Sequence, residues 1–372
     1  MVKLIDVTGK VVSGEWGNDD LVGNGIPVLR TTNFNNDGTI NYDNIVTRAI
    51  TKTKINDKYL LNGDILIEKS GGSDTKPVGR VVYFEGEEKK YLYNNFTGLL
   101  RIKDKKEWYP KYIFYSLYAN YKRGGTKIYQ NKTTGLHNLK TENYISSFCI
   151  KQIPLQEQVD ICNKLNRIKN IIDKKQLQLV EYAKLTHSLF VEMFGDFVEN
   201  PKCYKKEPIE THVDLLSGYP FKSSQYVDVG INICGGLIIM PQTIKWEDCL
   251  HWESTDGYEE YMLQENDIVM ALDRPWISDG FKIAKVDAEH LPALLIQRTA
   301  RIRAIDINQE YLYYCFIIGG FERHSSITGS LVPHISLKDI RSFQILIPPL
   351  KLQEQFADIV GKIDKHKFPI LD

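Results

Sequence analysis

The sequence predicts an α+β chain: two strand-rich domains joined by long antiparallel coiled-coil helices, with a pseudo-twofold internal repeat. Three observations predict it. A heptad-spaced apolar ladder runs through residues 155–193, and a shorter one through 352–363. The region before each ladder is a series of short β-rich runs separated by turn-forming residues. The two halves also carry the same short motifs in the same order.

The first helix follows Ile153-Pro154. Ile161, Leu165, Ile168, Ile172, Leu179, Tyr182, Leu189 and Met193 fall on alternating steps of four and three, interrupted only by Lys175 and Thr186. That spacing is a heptad seam rather than a random apolar face. From Leu155 to Met193 the helix would be about 58 Å long, with Gly195 as its stop. A small domain cannot wrap so long a helix, so it is a spacer or an association surface. The second helix follows Ile347-Pro348-Pro349 and repeats the step at Leu352, Phe356, Ile359 and Ile363. Pro369 predicts an end near Lys367, with Phe368–Asp372 outside the helix. The strand runs are Ile26–Arg30, Gly63–Ile67, Arg80–Phe84, Leu99–Ile102, Ile231–Cys234, Asp267–Leu272 and Ala300–Ile305, separated by turns such as Asn35-Asn36-Asp37-Gly38. The organisation is therefore a first domain over 1–152, a central helix over 153–195, a second domain over 196–347, and a short helix and tail over 348–372.

The repeat has a period near 200 residues. Ser13-Gly14 matches Ser217-Gly218, and Gly25-Ile26-Pro27-Val28 matches Gly230-Ile231-Asn232-Ile233. Gly63-Asp64-Ile65-Leu66 matches Asn266-Asp267-Ile268-Val269, and Asn95-Phe96-Thr97 matches Gln297-Arg298-Thr299. Ile145-Ser146-Ser147-Phe148 matches Ile340-Arg341-Ser342-Phe343, and Leu155-Gln156-Glu157-Gln158 matches Leu352-Gln353-Glu354-Gln355. The offsets of 204, 205, 203, 202, 195 and 197 drift slowly, as small loop insertions require.

Composition narrows the function classes. Lys plus Arg and Asp plus Glu both number 47, so the chain is not one that simply coats nucleic acid or an anionic membrane. The six cysteines form no CxxC pair and read as reduced thiols. The eight histidines show no ligand spacing. No apolar run is long enough to span a membrane, and Met1–Asp6 shows no signal peptide; the cytoplasm is the expected setting. There is no phosphate-binding loop, dinucleotide fingerprint or nucleophile elbow. Asp64 and Glu68 raise the question of a nuclease carboxylate cluster, but their spacing is wrong and Asp64 belongs to the repeated turn-to-strand motif. The chain is expected to bind and position, with no catalytic residue, metal or cofactor of its own.

The neutral total hides a split. Residues 1–150 carry 22 basic and 16 acidic side chains, whereas 201–350 carry 14 and 20. In the first domain the cations sit in loop-like segments among Gly, Ser, Thr and aromatics. Thr31, Thr32 and Asn33 follow a strand; Ser70, Lys76 and Arg80 lie in one Gly-rich loop; Lys122, Arg123, Lys127 and Lys132 lie in another. Hydroxyls, cations and exposed amides are what phosphate contacts need. In the second domain Arg274, Trp276, Ser278, Arg298, Arg323 and His324 occupy corresponding places, and Arg is suited to reading guanine edges. The competing reading pairs Arg298 or Arg301 with carboxylates at the core edge.

Together these residues resemble the specificity subunit of a type I restriction-modification enzyme. The resemblance rests on Ser13–Gly17 and Ser217–Ser223, Ile26–Asn33, the strands at 63–66 and 266–269, the helix starts at 153–158 and 347–355, and the exit Met193-Phe194-Gly195-Asp196-Phe197. It implies that 1–150 and about 200–346 are target-recognition domains, each facing one half of a split, asymmetric DNA site. It implies that the helices pair through Leu165, Ile168, Ile172, Leu179, Tyr182, Leu189, Phe356, Ile359 and Ile363 and dock two methyltransferase subunits. Restriction subunits, S-adenosylmethionine, ATP and Mg would belong to partner chains. The short second helix departs from the pattern: it leaves part of the seam for a second copy or another subunit, or reflects truncation. A two-headed protein-binding scaffold without DNA specificity stays open as the alternative.

The charge split carries a prediction. Log affinity for duplex DNA falls more steeply with log salt for the first domain than for the second, because it releases more counterions; equal slopes for the two in a salt titration would contradict the split.

Overall fold

The computed structural model describes residues 1–52, 55–73, 76–133, 136–325 and 333–371, without the side chains of Lys132, Thr133, Leu136 and residues 367–371. The chain divides into two compact units, Met1–Asp173 and Lys174–Asp372. Each is built on one antiparallel four-stranded sheet. In the first unit the order is Val12–Ser13, Thr97–Leu100, Ile65–Glu68, Val81–Tyr83; in the second it is Val213–Ser217, Thr299–Ala304, Ile268–Ala271, Ile283–Lys285.

The strands Ile65–Glu68 and Ile268–Ala271 are buried at every position. Their side chains alternate between two cores. Ile65 and Ile67 meet Ile113, Phe114 and Leu117 of the helix Pro110–Lys122, while Leu66 meets Leu29, Phe34 and Phe84. Ile268 and Met270 likewise join Tyr311, Leu312 and Phe316 of the helix Gln309–Ile318, and Val269 joins Cys234 and Leu295. A strand covered on both faces needs an unbroken apolar run, which these segments supply.

Two close fits recur. A Cβ on Gly14 would overlap the carbonyl oxygens of Tyr93 and Asn94, and one on Gly218 would overlap that of Ile296, so both Ser-Gly pairs need glycine for approach. In each unit the entry to the strand-rich part is tied to the segment before the following long helix by a short antiparallel pair, Val2–Lys3 with Cys149–Ile150 and Lys205–Pro208 with Gln344–Ile347.

The central helix spans Leu155–Phe194, 40 residues and about 60 Å. The last helix spans Leu350–Leu371, longer than predicted at both ends. Pro369 does not end it: a proline in the last turn of a helix lacks one backbone donor and leaves the about five turns before it intact. The repeat register is also corrected. The helices begin at Leu155 and Leu350, so Gln158 corresponds to Gln353 and not to Gln355. The identical tetrapeptides are two residues out of register, because the second copy carries Lys351 and Leu352 where the first has Gln156 and Glu157.

Within the second unit the two helices run antiparallel. Phe356 packs against Phe190 and Phe194 with ring centroids 5.5 and 5.4 Å apart, and Ala183, seven residues before Phe190, lines the same cavity as Asp364, eight residues after Phe356. The buried face of the last helix is Gln353, Phe356, Val360 and Ile363; Ile359 is exposed, contrary to the predicted seam. On the central helix Leu189 packs on the core and Leu179 and Tyr182 are half-buried. Leu165, Ile168 and Ile172, predicted as seam residues, are exposed, as are Ile171, Leu177, Val180 and Leu185. In the first unit the helix turns Gln158 and Cys162 inward instead, because its contact there is the strand-rich domain, whose polar and aromatic edge sets a different face.

Phe356→Ala is expected to destabilise the second unit by about 3–5 kcal/mol through the cavity it leaves. Ile168→Gln should stay within about 0.5 kcal/mol. Urea unfolding of the two variants distinguishes the buried helix face from the exposed one.

Candidate nucleic-acid interface

In the first unit three loop segments converge, and Arg80 is what draws them together. Its guanidinium donates to the carbonyls of Phe34 (2.8 Å) and Thr31 (2.9 Å) and to the Glu68 carboxylate (3.2 Å). Burial pushes the Glu68 carboxyl up, and the Arg80 cation holds it back. The loop over 76–80 is joined to the next segment by Tyr121, whose hydroxyl donates to the Pro77 carbonyl (3.1 Å), and by the Val78 amide donating to the Gln130 side chain (3.0 Å). The strands Ser70–Gly72, Gln130–Thr133 and Leu136–Leu139 form a small sheet beneath.

Two residues expected to face DNA are therefore turned inward, Arg80 half-buried and Asn33 buried. Arg80 is a tether, and Asn33 is buried, accepting from the Arg30 amide (3.0 Å) and donating to the carbonyls of Asn41 and Asp43. A short polar side chain after a strand closes its own loop before it can reach outward. Ser70 and Thr31 are half-buried. Exposed around the converging loops are Thr32, Lys76, Lys122, Arg123 and Lys127. Lys122 lies over the Tyr118 ring at 5.3 Å, which leaves its ammonium on the surface. The side chain of Lys132, with Asp74 and Thr75 of the same loops, lies outside the described residues.

The second unit repeats the tether with a different side chain. Lys282, buried, donates to the carbonyl of Gly236, at the place where Arg80 meets Thr31; burial lowers its pKa, with the Arg274 charge adding to the effect. Nearby, Asp273 gathers two groups. Its carboxylate pairs with Arg298 at 3.2 Å and with His334 at 2.7 Å, while the Arg274 amide donates to the Pro333 carbonyl at 2.8 Å. Arg274 and Arg298 both hold left-handed backbone, φ +47° and +64°, a conformation that costs a non-glycine residue about 1 kcal/mol. Arg298 remains 73% exposed despite its partner, so pairing does not remove it from the surface. His334 carried no sequence signal of its own. Aligning Asp64 with Asp267 sets Ser70 on Asp273, and the strand partner of Ser70 is Asn138, the counterpart of His334.

Trp276 and Arg323 line a cavity of about 600 Å³ with Gln242, Phe281 and Phe321. Trp276 is stacked on Phe281 at 4.7 Å and 16°, so one ring face is already covered. Ser278 is exposed and donates to Asp279. His324 is half-buried and turned inward: its Nε2 lies 3.1 Å from the Asp339 carbonyl and 3.1 Å from the Ser342 hydroxyl, against Phe343. Ser326 lies outside the described residues. No helix of the described residues is long and apolar enough to cross a membrane.

The two units thus present different loop surfaces on one frame. The model of the type I restriction modification DNA specificity domain matches residues 2–182 and 247–371. The chain belongs to that family. It is 32% identical over 205 residues to the type I restriction enzyme EcoAI specificity subunit of Escherichia coli, a stretch of 52% of this chain and 34% of that one. It is 28% identical over 273 residues to the type I restriction enzyme MjaVIII specificity subunit of Methanocaldococcus jannaschii, 68% of this chain and 63% of that one. The matches thus span from about a third to under two thirds of these relatives' lengths. The fold is shared with the type I restriction-modification S subunit from M. genitalium at a TM-score of 0.54 and 13% identity, over 99% of this chain and 90% of that one.

Internal and exposed cations of this specificity chain separate by experiment. Arg80→Ala should cost about 3 kcal/mol by leaving Glu68 buried without its cation. Burial raises the folded-state pKa of Glu68, and removing Arg80 raises it further. The deficit is therefore larger at high pH, where Glu68 is charged, and shrinks as pH falls through its raised range and the carboxyl is protonated. Lys122→Ala and Arg123→Ala should leave stability within about 0.5 kcal/mol. Thermal melts at pH 7 and pH 4 measure both.

Proposed function

We propose that this chain is the DNA-recognition subunit of a type I restriction-modification complex, each unit engaging one half of a split, asymmetric DNA site. The observation that carries the reading is one buried frame used twice under two different surfaces. Lys76, Lys122, Arg123 and Lys127 surround the first set of loops, and Arg274, Arg298 and Arg323 the second. Cations on loops held by a rigid frame suit phosphate contact, and divergent loops suit two unlike half-sites.

The chain supplies no chemistry in this reading. Methyltransferase subunits, two by the symmetry of the repeat, dock along the helices, where Leu165, Ile168 and Ile172 are exposed. S-adenosylmethionine, with ATP and Mg for cleavage, belongs to partner subunits in the cytoplasm.

Co-expression with its methyltransferase followed by long-read sequencing should reveal methylated adenines in a two-part motif. Replacing residues 70–80 and 121–139 with those of another family member should change one half of the motif and leave the other. A motif without two parts, or a swap that alters both halves, would overturn the reading, and a chain that pulls down proteins but leaves no footprint on duplex DNA would favour the scaffold.

A further inference from the structure

Each long helix is fastened to its own recognition unit by one buried glutamine, at the fourth residue of the helix in both cases. Gln158 is fully buried. Its Oε1 accepts from the Tyr109 amide (2.9 Å), and its Nε2 donates to the carbonyls of Glu107 (2.8 Å) and Ile153 (2.9 Å). Gln353 is 1% exposed; its Oε1 accepts from the Asn308 amide (2.8 Å) and its Nε2 donates to the Pro348 carbonyl (2.8 Å).

The partners are not arbitrary. Tyr109 and Asn308 are the N-cap residues of Pro110–Lys122 and Gln309–Ile318. Amides at a helix start have no acceptor within the helix. Ile153 and Pro348 each precede a proline, which has no amide to offer. A single side chain therefore satisfies the start of the core-packed helix and the approach to the long helix together. An amide group suits this place: it accepts at one atom and donates twice at the other, which neither a carboxylate nor an apolar residue of the same length can do.

We infer that Gln158 and Gln353 are positioning residues that fix the angle between each recognition unit and its helix, and so set the spacing between half-sites that the complex accepts. The inference rests on the split-site reading above. A latch at the base of a rod acts with leverage: a small rotation at Gln158 is multiplied along a 40-residue helix.

The test is methylation by the complete complex on duplexes carrying the motif with its native gap and with gaps one base pair shorter and longer. Gln158→Ala and Gln353→Ala should each raise the ratio of off-gap to native-gap methylation about tenfold while the bases required in both half-sites stay the same. Gln158→Glu keeps the acceptor for Tyr109 and loses the donors, and should fall between wild type and alanine. An unchanged ratio, with total methylation lowered at every gap alike, would overturn the inference, as would loss of folding in both alanine variants by thermal melting, since the glutamines would then be supports only. Failure of the split-site reading looks different: the wild-type complex itself would show no preference among gaps.

Discussion

Both units depend on a buried carboxylate held in a guanidinium fork. Asp64 and Asp267 are each 2% exposed. Arg101 donates to both oxygens of Asp64 at 2.8 and 2.6 Å, and Arg303 to both of Asp267 at 2.7 Å. A carboxylate so deep is unfavourable without a paired, hydrogen-bonded cation. The fork also locates the surrounding chain. Asp64 accepts from the Leu61 amide and Asp267 from the Gln264 amide, which closes the turn before the central strand, while Arg101 reaches the carbonyls of Asp57 and Tyr59. Turn, central strand and neighbouring strand are thereby set in one register. The segments that carry Lys76, Arg274 and Arg298 leave from the ends of these strands, so their positions follow from the fork.

This arrangement explains what could be read from sequence. The strands were legible because continuous apolar runs such as Ile65-Leu66-Ile67 can be satisfied only between two cores. The repeat was legible because Asp64 and Asp267, and Gly14 and Gly218, are positions where chemistry admits few alternatives. Its final register was not, since an identical tetrapeptide outweighed the geometry that pairs Gln158 with Gln353. Matching letters report ancestry position by position only where no residues have been gained or lost between them.

The candidate interface was less legible, for a related reason. A cation in a Gly-rich loop has the same sequence context whether it faces solvent or closes the loop on itself. Arg80 and Lys282 close theirs, on carbonyls at equivalent places, although one is Arg and the other Lys. Lys122 and Arg298 do not. What distinguishes them is the partner, and the partners of Arg80 lie 46 and 49 residues away in sequence. Asn33 and His324 are misplaced in the same way, each reaching backbone carbonyls that no local pattern announces.

The charge split gains a structural meaning from this sorting. In the second unit carboxylates stand beside arginines, Asp273 against the surface Arg298 and Asp214 against the buried Arg301; in the first, Lys76, Arg123 and Lys127 have no ion pair among those described. An arginine held by a nearby carboxylate gives less to a phosphate, because binding must displace or share an existing partner, and more to geometry, because the partner fixes its direction. Asp273 does this while Arg274 and Arg298 keep left-handed backbone around it. On one frame, then, Arg298 of the second unit is directed by a carboxylate, while Lys76 and Lys127 of the first carry no such restraint among the described ion pairs.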